Sequence, residues 1–208
     1  MGYFFLYAVL ACTVCGVGIP LYWTVAVRRR PVADLGITTH RLWPSLGLQL
    51  VFSVLLFLAV RGGLVWPAWD ALLPLVALAL AVGFFEAVFW RGWVLQRLEE
   101  SFGILPAVLL GSLLYSLYHI GYGMPGSEML FLFFIGVMFA VAFLFTRNIL
   151  ILWPAFQPLG QLITLVRDGL SLPLIAALGF VEVLALMLLL VWFASRYHKR
   201  HSIKPNPR

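Results

Sequence analysis

The sequence predicts an all-α protein, a polytopic bundle of about seven transmembrane helices that forms one integral membrane domain over residues 1–208. Three observations predict this class. Hydrophobic residues make up 63% of the chain and charged residues 11%, whereas a soluble domain is about 45–50% apolar and about 25% charged. The mean hydropathy is +1.02, and the basic residues are unevenly distributed along the chain. This composition excludes a disordered chain, a soluble globule and a nucleic-acid-binding protein that depends on a high density of Lys and Arg.

Seven stretches are apolar enough and long enough to cross a bilayer, which needs about 20 residues for a hydrocarbon core about 30 Å thick. Charged residues, glycines and prolines separate them. The first stretch ends at the basic run Arg28–Arg30, and the fifth and sixth meet at the short turn Arg147-Asn148. The stretches cover about residues 3–26, 45–65, 70–91, 102–120, 129–146, 148–166 and 171–195.

The basic residues predict the orientation of these spans. If the N-terminus lies outside, only Arg61 and Arg167 fall in external loops, and Arg91 lies near the membrane. Cytoplasmic loops of membrane proteins are enriched in Lys and Arg. We therefore expect a multi-pass protein of the cell membrane with its N-terminus outside and its C-terminus in the cytoplasm. The cytoplasmic loops and tail then hold Arg28, Arg29, Arg30, Arg41, Arg97, Arg147, Arg196, Lys199, Arg200, Lys204 and Arg208.

Among the ionisable residues of the apolar stretches, three stand out as candidates for a site: Glu86, His119 and Glu182. A charged side chain at the centre of a span costs at least about 2.5–3.5 kcal/mol, so such residues usually face a protein interior or a wet cavity. Glu86 can serve there as a general acid or base, or it can form an ion pair with Arg91. Glu182 has no cationic residue three or four positions away, so it is either protonated or paired across helices with Arg91 or His119.

Two polar stripes follow the helical repeat. Ser112, Tyr115, Ser116 and His119 lie on one face of the fourth span, which favours the wall of a polar cavity over an isolated histidine near the membrane surface. The second stripe lies in a span that two prolines, Pro154 and Pro158, interrupt. Broken helices occur where the backbone lines a cavity, although interhelical hydrogen bonds also explain such a stripe. The second stripe contains Gln157, Gln161, Thr164 and Asp168.

Together these residues resemble the CAAX-protease and bacteriocin-processing family of intramembrane proteases, also called the CPBP or Abi family. The first motif of that family is Glu-Glu-x-x-x-Arg, usually followed by Gly, and Glu86 to Gly92 match it with Ala87 in place of the second Glu. The second motif is Phe-x-x-x-His, and Tyr115 to His119 match it with Tyr in place of Phe. The resemblance covers about residues 70–165.

The third motif of the family departs most from this chain. It reads His-x-x-x-Asn or His-x-x-x-Asp and often follows an Asn–Leu–Trp–Pro-like stretch, which residues 148–154 supply. If Gln157 and Gln161 occupy the motif, both of its side chains become amides. An alignment fixed on the Trp-Pro pair instead places the motif nearer Leu159 and Ile163, and the motif is then lost.

The resemblance implies an intramembrane endopeptidase in which Glu86 activates water and His119 positions it and passes a proton to the leaving amine. Gln157 and Gln161 would donate hydrogen bonds to the oxyanion. The supporting residues would be Arg91, Tyr115 and Glu182. Neither a cofactor nor a metal ion is implied. The expected partners are a peptide or protein substrate at the membrane and the lipid bilayer, with no nucleic acid.

Other functions stay open at this level. The missing third-motif His and Asn favour a pseudoprotease with a binding or regulatory role, and the buried carboxyl groups also occur in small transporters. A purely structural helix bundle is a further alternative. In a plain up-and-down arrangement Glu86 lies in the inner part of its span and His119 near the outer end of the next. The protease mechanism therefore requires a tilt, a kink or a partly re-entrant segment over residues 92–101.

Overall fold

The computed structural model describes residues 5–202, except for the side chains of residues 5–8, 122 and 202. Residues 5–202 form helices joined by turns and short loops and contain no β-strand, which confirms the all-α class. Short 3-10 turns lie at Val32–Leu35, Tyr118–Tyr122 and Ile149–Ile151. The seven longer helices are α1 (Val9–Val27), α2 (Leu42–Val60), α3 (Trp69–Phe102), α4 (Ile104–Leu117), α5 (Gly126–Thr146), α6 (Phe156–Arg167) and α7 (Ala176–Ser202).

Within the described part of the chain, six helices have the length and apolar composition needed to cross a membrane. The remaining predicted stretch, 148–166, differs from a simple span because it contains the turn Ile149–Ile151 and then the 12-residue helix α6. Pro154 lacks a backbone N–H and disfavours a continuous helix, so α6 begins only at Phe156. Pro158 lies in the first turn of α6, where a missing N–H leaves no intrahelical hydrogen bond unmade.

Contacts at the loops show that residues 148–166 connect the two ends of the bundle, although they do not form one continuous helix. At one end Arg30 pairs with Glu100 at 2.7 Å, and Arg147 pairs with Glu99 at 2.5 Å. At the other end, Arg167 donates to the carbonyl of Val60, the last residue of α2, at 2.5 Å. Within residues 5–202 the chain therefore passes between the two ends seven times, six times in long helices and once through the turn and α6. We call the end that holds Arg30 and Arg147 the basic end.

The long helix α3 and its hairpin with α4 set the depth of the polar residues. The 34 residues of α3 include a π-helical segment, Ala87–Leu95, that follows Glu86. Gly103, with φ of 83°, turns the chain into α4. Glu86 precedes Gly103 by 17 residues and His119 follows it by 16. Because the helices are antiparallel, Glu86 and His119 lie at nearly the same depth, and residues 92–101 need not re-enter the membrane.

Two glycines of α3 allow close approach of its neighbours. A Cβ atom on Gly92 would lie 2.3 Å from the carbonyl oxygen of Leu35, so only glycine lets the turn Val32–Leu35 rest against α3. A Cβ atom on Gly83 would lie 2.8 Å from the Pro158 side chain. The second contact brings the start of α6 against the middle of α3, one helical turn before Glu86.

Candidate active site

Glu86 lies midway along α3 and is 5% exposed. Both of its carboxylate oxygens accept hydrogen bonds. The Tyr118 hydroxyl donates to Oε1 at 2.6 Å, and Nε2 of Gln157 donates to Oε2 at 2.6 Å. The Tyr115 hydroxyl lies farther from Oε2, at 3.5 Å. Side chains from α4, from the turn that follows α4 and from α6 therefore converge on one buried carboxyl group.

His119 is 8% exposed and lies in the turn that continues α4. Its Nδ1 is 2.8 Å from the carbonyl oxygen of Tyr115. Since a carbonyl oxygen can only accept, Nδ1 carries the hydrogen, and Nε2 is the nitrogen that takes up a proton. The ring packs between Tyr118, at 4.1 Å between centroids, and Tyr115, at 5.1 Å. His119 is also close enough to interact electrostatically with Glu86.

Arg91 is 2% exposed and stacks on aromatic rings. Its guanidinium carbon lies 5.0 Å from the ring centroid of Tyr115 and 5.9 Å from that of Phe139. Among the described side chains Arg91 forms no ion pair, so the alternative of a direct Glu86–Arg91 pair is not formed. The preceding turn holds Ala87 where the family motif has its second Glu. Cation–π contacts thus stabilise the guanidinium, and the Glu86 carboxylate adds an electrostatic interaction without a direct hydrogen bond.

Packing at the start of α6 positions Gln157. The Trp153 indole donates to the Leu80 carbonyl at 3.0 Å, and the Gln157 backbone N–H donates to the Leu152 carbonyl at 2.9 Å. These contacts hold the start of α6 against α3 and aim the Gln157 side chain, which is 4% exposed, at Glu86. Gln161 lies one turn farther along α6 and is only partly buried. Its amide makes no hydrogen bond to the described residues.

The remaining predicted residues divide between the interior and the surface. Ser112, Tyr115, Ser116 and His119 are all buried, so the polar stripe of α4 faces the interior. Glu182 lies on the exposed face of α7 because its neighbours Phe180 and Val183 occupy the inward positions. It forms no hydrogen bond or ion pair with the described side chains, so the alternative of a pair with Arg91 or His119 is not formed. Thr164 and Asp168 are exposed on α6.

Tyr118 was not singled out from the sequence, although it makes one of the two short hydrogen bonds to Glu86. It occupies an unspecified position of the second motif, immediately before His119. A signal was present, since Tyr118 follows Tyr115 by three residues and such residues share a helical face. Residue spacing does not predict that the α-helix changes to a 3-10 helix at Tyr118.

Comparison with known proteins adds one finding to this geometry. Residues 67–156 match the model of the family described as type II CAAX prenyl endopeptidase Rce1-like. The match supports a place for this segment in the CAAX-protease family. The resemblance predicted from the first two motifs is thereby confirmed, and the match supports a CAAX-type intramembrane endopeptidase in an integral membrane protein. No curated protein and no solved structure matches the chain.

The match covers some of the predicted motifs and leaves others out. Glu86, Arg91 and His119 lie inside the matched segment, together with the Trp-Pro element. The segment ends at residue 156, immediately before Gln157. The family match therefore covers the first two motifs, and only the three-dimensional contact with Glu86 connects Gln157 to them.

Proposed function

We propose that this protein is an intramembrane glutamic endopeptidase in which Glu86 activates a water molecule for attack on a peptide bond in or near the membrane. One observation carries the proposal: a buried glutamate within the matched family segment accepts hydrogen bonds on both oxygens and lies at the depth of His119. Arg91 forms no direct ion pair with this glutamate and stacks on aromatic rings instead, which leaves both Glu86 oxygens to neutral donors.

In the first step Glu86 takes a proton from water while the water oxygen attacks the carbonyl carbon of the substrate. Water is a weak nucleophile near neutral pH, so a positioned base is needed. The carbonyl π electrons move onto oxygen and produce a tetrahedral intermediate with a negative charge. The Gln157 amide has two N–H bonds, and since one is directed at Glu86, the other is available to the oxyanion.

In the second step the intermediate collapses and the C–N bond breaks. The leaving amine needs a proton, which Glu86 holds after the first step and which His119 relays through Nε2. Both residues then return to their starting protonation states. Arg91 takes no part in proton transfer because its guanidinium stays charged at any working pH. Gln161, which makes no hydrogen bond in the described structure, is not required for either step.

The orientation of the protein in its membrane follows from the distribution of charge. We propose that the basic end faces the cytoplasm, which puts the N-terminus outside and the C-terminus inside. Arg28, Arg30, Arg97 and Arg147 lie at this end, and cytoplasmic surfaces are enriched in such residues. The charge distribution also suits contact with the anionic lipids of a cytoplasmic leaflet.

The test is peptide cleavage by the purified full-length protein on a mixed peptide set that includes prenylated C-terminal peptides and leader peptides. Glu86→Gln is the decisive variant, and Glu182→Gln is the matched control because it neutralises a glutamate that faces outward. We expect cleavage that persists with a chelator, is lost in Glu86→Gln and survives in Glu182→Gln.

Cleavage that continues in Glu86→Gln would show that Glu86 is not the catalyst. A folded wild-type protein that cleaves none of the peptides would favour the pseudoprotease. A coupled flux lost only in Glu182→Gln would favour a carrier.

A further inference from the structure

The Tyr118 hydroxyl occupies a position that the family motifs leave unassigned. It donates to Oε1 of Glu86, whereas Gln157 donates to Oε2, and both distances are 2.6 Å. The two donors come from different elements, the turn after α4 and the start of α6. A reacting carbonyl held beside Glu86 would therefore lie close to two donors, one on either side of the carboxyl group.

Because the third-motif His and Asn are missing, this site has fewer hydrogen-bond donors for the oxyanion than the resemblance implies. The resemblance implies two oxyanion donors from that motif. Here Gln157 contacts Glu86, but the Gln161 amide makes no hydrogen bond within the described structure. Oxyanion sites in acyl-transfer enzymes commonly combine several donors, and each is worth a large factor in rate. The residue that completes the set must come from another element.

Exposure favours Tyr118 as that residue. Glu86, Tyr115 and Gln157 are all buried, whereas Tyr118 is only partly buried, so of these four side chains it is the one that reaches the surface of the protein. Its ring is held by Trp90, at 5.4 Å between centroids, and by His119, at 4.1 Å. The hydroxyl is thus fixed in place while its O–H bond can still rotate toward a new acceptor.

We propose that Tyr118 is a catalytic residue whose hydroxyl donates a hydrogen bond to the oxyanion of the tetrahedral intermediate, in the role of the missing third-motif donor. This inference rests on the proposed function. In the resting site the Tyr118 O–H bond points at the Glu86 carboxylate. Once Glu86 has taken the proton from water, it is a neutral and weaker acceptor, and the oxyanion is the stronger one. The Tyr118 O–H bond then turns to the oxyanion and keeps its proton throughout, since a phenol ordinarily titrates only near about 10.

The first test compares three tyrosine variants on a peptide that the wild type cleaves. Tyr118→Phe removes one oxygen and keeps the ring between Trp90 and His119. We expect kcat to fall by about 10²–10³-fold, the usual effect of losing one oxyanion donor, with KM changed by less than about threefold. Tyr115→Phe removes the more distant hydroxyl and should cost clearly less. Tyr22→Phe, on the exposed face of α1, should have no effect. A kcat for Tyr118→Phe within about fivefold of wild type would overturn the assignment.

A second test separates oxyanion binding from simple positioning of Glu86. Fluorotyrosines of increasing acidity are placed at residue 118 and assayed at a pH where the phenol stays protonated. A stronger donor stabilises the oxyanion more than it stabilises the resting Glu86 carboxylate, because the oxyanion is the more basic acceptor, so kcat should rise with acidity. If Tyr118 only holds Glu86, a stronger donor makes Glu86 a weaker base and kcat should fall. That result would overturn the proposal even if Tyr118→Phe were poorly folded.

Glu86→Gln is run in parallel. Cleavage that survives in Glu86→Gln defeats the proposed function itself, whereas cleavage lost in Glu86→Gln but kept in Tyr118→Phe defeats only the role of Tyr118.

Discussion

Nε2 of Gln157 donates a hydrogen bond to Oε2 of Glu86 at 2.6 Å, although the two residues are 71 positions apart in the chain. This contact selects between the two glutamines of α6, because Gln161 makes no corresponding bond. It also joins a residue outside the matched family segment to a residue inside it. The consequences of this arrangement can be measured one residue at a time.

Gln157→Ala should lower kcat by about 10²–10³-fold, because it removes a donor beside Glu86. Gln161→Ala should change kcat by less than about threefold, since its amide has no partner to lose. Steady-state kinetics of both variants on one peptide substrate measure which glutamine contributes to kcat. Equal losses in the two variants would mean that the motif, rather than the observed contact, determines the role of each glutamine.

Gly92→Ala should destabilise the protein by at least about 1–3 kcal/mol, the usual cost of overpacking. The new Cβ atom would meet the Leu35 carbonyl oxygen at 2.3 Å, and a backbone atom cannot move aside as the end of a side chain can. Gly47→Ala is the matched control in α2, because its Cβ atom meets nothing within 4 Å and alanine favours the helix. Thermal unfolding in detergent should show a lower midpoint for Gly92→Ala only. A midpoint equal to that of wild type would show that α3 does not need this close approach.

Glu99→Gln should weaken the basic end of the bundle. Arg147 holds Glu99 through two hydrogen bonds, Nη1 to Oε2 at 2.5 Å and Nη2 to Oε1 at 2.7 Å, and this carboxylate raises the pKa of Arg147. Because both side chains are partly exposed, we expect a loss of about 0.5–1 kcal/mol that shrinks as salt is added. Glu128→Gln, on an exposed residue at the start of α5, is the control. An effect of Glu99→Gln that is independent of salt would argue against an ionic contribution.

Glu182→Leu should leave peptide cleavage within about threefold of wild type. The side chain faces outward on α7 and has no hydrogen-bond or ion-pair partner among the described residues. Removing a carboxyl group from a lipid-facing position should also ease membrane insertion, in line with the cost of about 2.5–3.5 kcal/mol for a charged residue at the centre of a span. The measurements are activity per folded protein and the amount of membrane-inserted protein. A loss of activity comparable to that of Glu86→Gln would assign Glu182 a part in catalysis that its position does not suggest.

The sequence by itself determined the class of this protein. Apolar stretches of about 20 residues allow little else in a bilayer than helices, because every backbone polar group must be satisfied within its own segment. The motifs around Glu86, Arg91 and His119, with the Trp-Pro element, likewise indicated the family resemblance, which the match over residues 67–156 supports. Local sequence also indicated that Pro154 interrupts the sixth stretch.

Tertiary structure decided how the polar residues meet. Glu86 and His119 reach one depth because α3 and α4 form a hairpin about Gly103 with nearly equal arms, and the length of each arm depends on where the helices end. The partner of Glu86 from α6 is Gln157 because Gly83 admits Pro158 against α3. Residue spacing gives the face of a single helix, but it does not give the rotation and the axial offset of one helix against another. The rotation and axial offset of the helices turn Tyr118 toward Glu86 and leave Glu182 on the outward face of α7.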